Sequence, residues 1–269
     1  MLASRLAYYA SSIPTMVLGV EGWTRAAASL LGFRDEPFAI RVRKHDVRLH
    51  VRDFMDVWVA KETLLDGDYD PALPERGTAG VILDVGAGIG DFALLASRLF
   101  PKSRVLAFEP YPESFEILEE NLAANGAHNV ETTPLGVAGR GVTQRWLSPG
   151  AHGASSVSAD VDEANAPEPV VAEFITLDAA LARFGVDRVA FLKMDVEGAE
   201  FEIFHDAADD TLSRIDRLSL EYHDGDGRDH GEIAARLTSS GFRVARRPSR
   251  AHAHLGYLDA VRPPGTGAA

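Results

Sequence analysis

The apolar residues of this chain change their spacing along it, and each change marks an element. From Val81 to Val85 every residue but Asp84 is apolar, a run of the length of a buried strand. Gly86, Gly88 and Gly90 follow at alternate positions, and from Phe92 to Phe100 apolar residues recur at helical spacing. Strand, glycine turn and helix make the opening unit of a nucleotide-binding α/β sheet. The glycines let the backbone turn tightly and let a ligand lie against it with no Cβ in the way.

The alternation continues. Arg104 to Phe108 reads as a second buried strand ending in Glu109-Pro110, and the helix from Glu113 to Asn125 is stopped by Gly126. Val130 to Val137 predicts a third strand, Arg140 to Leu147 a further one, and Val170 to Ile175 another extended segment before a short helix, Leu177 to Phe184. Val189 to Met194 is the fourth core strand and leads through Asp195-Val196-Glu197-Gly198-Ala199-Glu200 into a helix. Arg217 to Glu221 is the fifth, ending in Tyr222-His223-Asp224; a helix (Gly231 to Ser240) and strands at Phe242–Arg246 and near Leu255–Val261 complete the pattern. Such alternation implies right-handed crossovers and a doubly wound, mostly parallel sheet.

Upstream, residues 1 to about 33 predict one or two helices, with Pro14 between their apolar sets. Phe38 to Phe54 predicts strands with a turn near Lys44-His45-Asp46, Asp56 to Leu65 a helix, and Asp66 to Pro71 a turn cluster. Residues 148–169 are small and polar, the mark of a lid or a disordered loop. The expected organisation is an N-terminal extension (1–75), a principal domain (76–262) with a lid at 148–169, and a flexible tail (263–269).

Composition narrows the picture. A chain of 269 residues can bury one α/β core with a modest extra lobe. A net charge of -13 repels phosphates, so no nucleic-acid partner is expected. The basic stretches Arg41–Arg52 and Arg243–Arg250 are read as solvated strand edges. The absence of cysteine excludes disulfides and thiolate chemistry. Tyr8, Tyr9, Ser11, Ser12 and Pro14 break any apolar run at the N-terminus, so neither a signal peptide nor a membrane partner is expected, and the expected location is cytoplasmic. The apolar faces of the N-terminal helices make a homodimer conceivable.

The glycine spacing separates two cofactor classes. A dinucleotide fingerprint needs Gly-x-Gly-x-x-Gly; here Gly90 comes one position early, and Asp91 fills the slot where a carboxylate repels pyrophosphate. Asp84, Gly86, Gly88 and Gly90 instead resemble motif I of class I S-adenosylmethionine-dependent methyltransferases. The strand ends present Asp84, Glu109, Asp195, Glu221 and His223 along one rim. Acids so collected repel one another unless a cationic or hydroxyl-rich ligand sits among them, and S-adenosylmethionine offers a sulfonium, an amino group and a ribose diol. Glu109, 25 residues beyond Asp84, stands near the offset of roughly 20 at which an acid grips a ribose. Asp84 holds the glycine loop, contacts the ligand, or does both. Leu135-Gly136-Val137 flanks an adenine or belongs to the core.

The run Phe191 to Phe204, with Asp-Val-Glu-Gly-Ala-Glu at its centre, is similar to the signature of the FkbM-type methyltransferases, together with Asp84–Asp91, Glu109-Pro110 and Glu221-Tyr222-His223. The resemblance covers roughly Val57 to Val261; Glu62 and Tyr69 also stand where that family carries a Glu and a Tyr. It implies a seven-stranded Rossmann-like sheet ending in an antiparallel pair, and O-methylation of a small hydroxylated acceptor such as a natural product, polyketide or sugar. The cofactor residues it implies are Asp84, Gly86, Ala87, Gly88, Gly90, Glu109, Pro110, Gly136, Val137, Asp195, Glu197 and Glu62, with S-adenosylhomocysteine as product.

Glu197 and Glu200, three apart at a helix N-terminus, are expected to share a face and to be stabilised there as anions. His223 is the candidate base, because imidazole titrates near neutral pH, and Glu221 or Asp195 is expected to orient it. A less favoured alternative gives Asp195, Glu221 and Asp224 a Mg2+ ion that activates the hydroxyl. His252 and His254, expected on a terminal strand with both rings on one face, are read as structural rather than as metal ligands. His152, Ser155 and Ser156 are read as lid residues that are solvated or, as a less favoured alternative, contact substrate. The rival readings are N- or C-methylation, a non-catalytic S-adenosylmethionine-binding partner and, least favoured, a nicotinamide dehydrogenase.

Overall fold

The computed structural model describes residues 2–33, 36–147, 170–225 and 227–263. The expected lid, with His152, Ser155 and Ser156, lies outside them, as does the tail beyond Pro263. Helix α1 (Leu2–Gly19) leads through β1 (Val20–Glu21) into α2 (Trp23–Leu30). Pro14 lies inside α1 and does not divide it. A proline removes one N–H from the helix ladder. Here tertiary bonds hold the adjacent turn, because Lys61 Nζ donates to Tyr8 Oη (3.0 Å) and Ser12 Oγ (2.7 Å).

Strands β2 (Phe38–Val42) and β3 (Val47–Val51) pair antiparallel across the expected turn, where Asp46 takes a left-handed φ of 53°. Every second residue of each strand is buried, as half-buried strands require. Helix α3 (Phe54–Lys61) is capped by Asp53, which accepts from the N–H groups of Met55 and Asp56. It widens into a π turn over Glu62–Asp66.

The main alternation follows: β4 (Val81–Val85), α4 (Asp91–Leu99), β5 (Arg104–Phe108), α5 (Pro112–Asn125) and β6 (Val130–Thr133). After β7 (Leu135–Val137), β8 (Gln144–Leu147) and β9 (Val170–Ile175) come α6 (Leu177–Arg183) and β10 (Val189–Met194). Then α7 (Glu200–Asp206), α8 (Asp209–Ser213), β11 (Arg217–His223), α9 (His230–Ser239), β12 (Arg243–Pro248) and β13 (Leu255–Val261) complete the chain. The seven-stranded sheet has the order β12-β13-β11-β10-β4-β5-β6. Its members are parallel except β13, which runs antiparallel to both β11 and β12. This is the expected Rossmann-like α/β sheet, and the chain turns from one half to the other between β4 and β10. Ligands of such sheets lie outside the strand ends at that crossing.

Successive strand residues feed two cores. Ile82, Val105, Ala107 and Phe191 pack with α4, α5 and the N-terminal sheet. Leu83, Leu106, Phe108, Leu192 and Met194 pack with α6 to α9.

Two expectations need correction here. The third strand does not run from Val130 to Val137, because Pro134 has no N–H to continue the ladder. β6 stops at Thr133, and Leu135-Gly136-Val137 joins a separate sheet of order β7-β9-β8. Nor are the basic stretches merely solvated edges. Arg52 pairs with buried Asp56 (2.8 Å), and Arg247 pairs with Asp259 while donating to Asp68 O. No helix of the described residues is long and apolar enough to cross a membrane.

Candidate active site

A cavity opens at the carboxyl ends of β4, β5 and β10, walled by Gly86 to Ile89, Glu109-Pro110, Gly136-Val137 and Asp195 to Glu197. The turn after β4 is pinned to its neighbours: the N–H groups of Gly86 and Ala87 both donate to Phe108 O. Gly86 has φ 76°, and a Cβ there would lie 1.7 Å from Asp195 O, so the turn packs directly on the end of β10. Gly88, at φ 54°, faces open space. That bare stretch of backbone forms the floor of a cradle.

Glu109 is buried, and its carboxylate accepts from Gly88 N (2.7 Å) and Tyr111 N (2.9 Å). Burial raises it to about 7 against those two hydrogen bonds. Asp84 and Gly90 stand behind the cavity wall. Gly90 caps α4 at φ 90°, where a Cβ would press on Leu118. Asp84 is fully buried with Lys193 Nζ 3.1 Å from its Oδ1; burial lifts the acid to about 6 although Lys193 opposes it. Lys193 also donates to Gly86 O. Burial would discharge its ammonium, yet Asp84, Asp195 and Asp91 hold it charged and raise it above its ordinary value.

A second cavity adjoins the first. Val59, Thr63, Tyr69, Asp195 and Glu197 line both. Its other walls come from the N-terminal extension (Tyr8, Trp58, Glu62, Asp68), from Glu221 and His223 on β11, and from the β12–β13 hairpin. Glu62 lies here and not at the glycine turn; its Oε1 accepts from Tyr8 Oη (2.7 Å) and Trp58 Nε1 (2.9 Å). Burial raises it to about 7. Burial and Asp195 push Glu221 well above the usual carboxylate range. Asp195 itself is raised to about 6 by burial and by Glu197.

His223 ends β11 beside the end of β10, with its ring between two carboxylates. Nε2 lies 3.0 Å from Glu197 Oε2, and Nδ1 lies 3.3 Å from Glu200 Oε1. Burial alone would lower its pKa, but the bonds to Glu197 and Glu200 prevail and raise it to about 11. Glu200 is fully buried and also accepts from His223 N (2.8 Å) and Gly198 N (2.8 Å), tying the β10–α7 loop to β11.

The sequence reading is corrected at four points here. The ring is oriented by Glu197 and Glu200, not by Glu221 or Asp195. Glu197 does not share a helix face with Glu200: α7 starts at Glu200, and Glu197 sits in the preceding turn with φ 52°. A non-glycine residue held there costs about 1–3 kcal/mol, a strain that collects at ligand clamps. Asp195, Glu221 and Asp224 do not converge on one ion. Asp224 is turned to His230, whose Nδ1 is 2.7 Å from its Oδ2. His252 and His254 lie in the β12–β13 connection and not on a strand, with ring centroids 5.7 Å apart.

Several residues of the site escaped the sequence reading. Lys193 carried a usable signal, a lone charge in an apolar strand two places before Asp195. Arg52 and Asp56, four apart and lining the first cavity, carried a weaker one. Nothing local marked Trp58, Thr63 or Tyr257.

The methyltransferase FkbM domain, as a family model, matches residues 84–244, which include the glycine turn, Glu109, the β10–α7 loop and β11. Methyltransferase 1 of Beauveria bassiana is 30% identical over 207 residues, 70% of this chain and 81% of that protein. The 31-O-demethyl-FK506 methyltransferase FkbM of Streptomyces tacrolimicus is 29% identical over 191 residues, 61% of this chain and 73% of that one. Among solved structures, the precorrin-6y C5,15-methyltransferase of Geobacter metallireducens aligns with 14% identity and a TM-score of 0.42, over 83% of this chain and 93% of that one. The glycine turn that floors the first cavity and the loop that closes on His223 both fall inside the matched span, and the chain belongs to the FkbM methyltransferase family.

Proposed function

We propose that this methyltransferase carries the methyl group of S-adenosylmethionine to a hydroxyl of a small molecule. The observation that carries the reading is that two cavities meet at Asp195 and Glu197. The first, with its bare glycine floor and buried Glu109, suits a nucleoside whose ribose diol donates to a carboxylate. Asp195 and Glu197 face the sulfonium end and favour its positive charge. The second cavity, walled by aromatic side chains and carboxylates, suits a hydroxylated organic acceptor. The relative from Streptomyces tacrolimicus, named for 31-O-demethyl-FK506, supports oxygen as the methylated atom.

In that arrangement the acceptor oxygen attacks the methyl carbon in line. A C–O bond forms, the C–S bond breaks with its electron pair going to sulfur, and the hydroxyl proton passes to the carboxylate and imidazole groups at the junction. His223, raised to about 11 and so charged at neutral pH, takes that proton only after its Nε2–Glu197 contact opens and the ring has given up a proton of its own. Positioning two reactants and excluding water supplies most of the acceleration.

The test incubates the protein with S-adenosylmethionine and a library of hydroxylated metabolites, reading S-adenosylhomocysteine and products heavier by one CH2 in the mass spectrometer. Methyl ethers formed only with active protein are expected. Products on nitrogen or carbon alone would overturn the hydroxyl assignment, and failure to bind either form of the cofactor would overturn the donor.

A further inference from the structure

We propose that Asp195, Glu197 and His223 bind a divalent cation of the Mn2+ or Mg2+ type where the two cavities join, and that this ion takes the acceptor oxygen. The catalytic part rests on the methyltransferase reading; the site itself does not. One ligand atom from each of the three residues lies within 4.8 Å of the other two. His223 Nε2 and Glu197 Oε2 are 3.0 Å apart, and two ligands at right angles, each about 2.1 Å from a metal, are separated by about that distance.

Three further observations point the same way. Asp195 Oδ1 is buried and has no hydrogen-bond partner among the described residues. His223 turns its other nitrogen, Nδ1, to the fully buried Glu200 carboxylate. A carboxylate behind a histidine is the recurrent support of a metal-bound imidazole, fixing the ring so that the far nitrogen faces the ion. Glu197 is held at φ 52° on its turn, as residues of ligand clamps commonly are.

The other candidate cluster, Asp224, Asp229 and His230, lacks these features. Both oxygens of Asp224 are taken by His230, and Asp229 caps α9 by accepting from Gly231 N. Two carboxylates and one imidazole suit Mn2+ and accept Mg2+. Opening on both cavities leaves coordination positions for water and for the acceptor. With the ion in place His223 serves as a ligand and not as the base: a hydroxyl bound there loses its proton to solvent, and the alkoxide then attacks the methyl carbon as the C–S bond breaks.

The experiment titrates EDTA-treated protein with MnCl2 and follows free Mn2+ by its EPR signal. About one equivalent bound below ~1 mM, displaced by MgCl2, is expected. Glu197→Gln and His223→Gln, with melting curves to confirm folding, should each weaken binding by more than about tenfold. Pulsed EPR of the unmutated protein should show a coupled nitrogen, which keeps the test decisive if a variant does not fold. No binding near 1 mM, binding unchanged in folded variants, or a Mn2+ spectrum without a coupled nitrogen would each overturn the site. Calorimetry of S-adenosylhomocysteine with metal-free protein is run separately: its failure removes the donor reading and leaves the metal result standing.

Discussion

Lys193 and Asp84 face each other from adjacent parallel strands, paired in register, with Lys193 Nζ 3.1 Å from Asp84 Oδ1 and both side chains buried. Through its bond to Gly86 O the same ammonium also holds the glycine turn. One cation thus joins two strands to the loop that forms the first cavity.

Removing that cation strands a buried acid. Lys193→Met is expected to lower unfolding free energy by about 3–5 kcal/mol, and Asp84→Asn in the same chain to recover most of it. Urea denaturation of the single and double variants checks this; a single variant as stable as the parent would show that the pair contributes nothing.

The glycines of the turn should separate by substitution. Gly86→Ala drives a Cβ into Asp195 O at 1.7 Å, so β4 and β10 must part and the protein should fold poorly. Gly88→Ala meets open space; it should cost only about 1–2 kcal/mol for its left-handed backbone while loosening S-adenosylhomocysteine. Melting curves and calorimetry separate the two outcomes.

Burial lifts Glu109 to about 7 from the ordinary carboxyl value of 4.5. Its contribution to stability is therefore full below about 4.5 and is lost as pH rises through about 7, because the folded protein holds that proton longer than the unfolded chain. Cofactor affinity should run the other way and strengthen as the carboxylate forms. Glu109→Gln should bind more weakly and flatten both profiles; denaturation and calorimetry between about pH 5 and 8.5 test the pair of slopes.

Tyr8→Phe removes the hydroxyl that donates to Glu62 and receives from Lys61. A loss of about 1–3 kcal/mol is expected for the groups left behind. Because Tyr8 lines the second cavity and not the first, KM for the acceptor should rise while Kd for S-adenosylhomocysteine stays put. Initial-rate kinetics with calorimetry decide it.

The central strands were legible because burial on both faces leaves an unbroken apolar signature, and β5 and β10 begin and end where the pattern places them. The third strand was misread at Pro134, where apolar residues continue past a break in hydrogen bonding. Glycine spacing and strand-end acids outlined the first cavity, since each marks the carboxyl end of a core strand, although the sheet sets Glu221 and Asp195 on the β11-β10 side of Asp84 and Glu109 on the β5 side. The second cavity was largely hidden. Tyr8 and Tyr257 are remote in sequence and share a wall only because the first helix and the last strand meet there. The hold of Glu197 and Glu200 on His223 was hidden for a related reason: the left-handed turn at Glu197 is a backbone choice that no side-chain pattern announces.

The two cavities draw on different parts of the chain. The first is built mostly within residues 84–244, whereas the second takes most of its wall from the opening seventy residues and the closing hairpin. On the proposed reading, with donor in the first cavity and acceptor in the second, exchange of those flanking segments between relatives is a route by which a methylating enzyme of this build can change its customer while leaving its reagent supply untouched. Attempts to graft a new preference onto it should begin at the two ends of the chain.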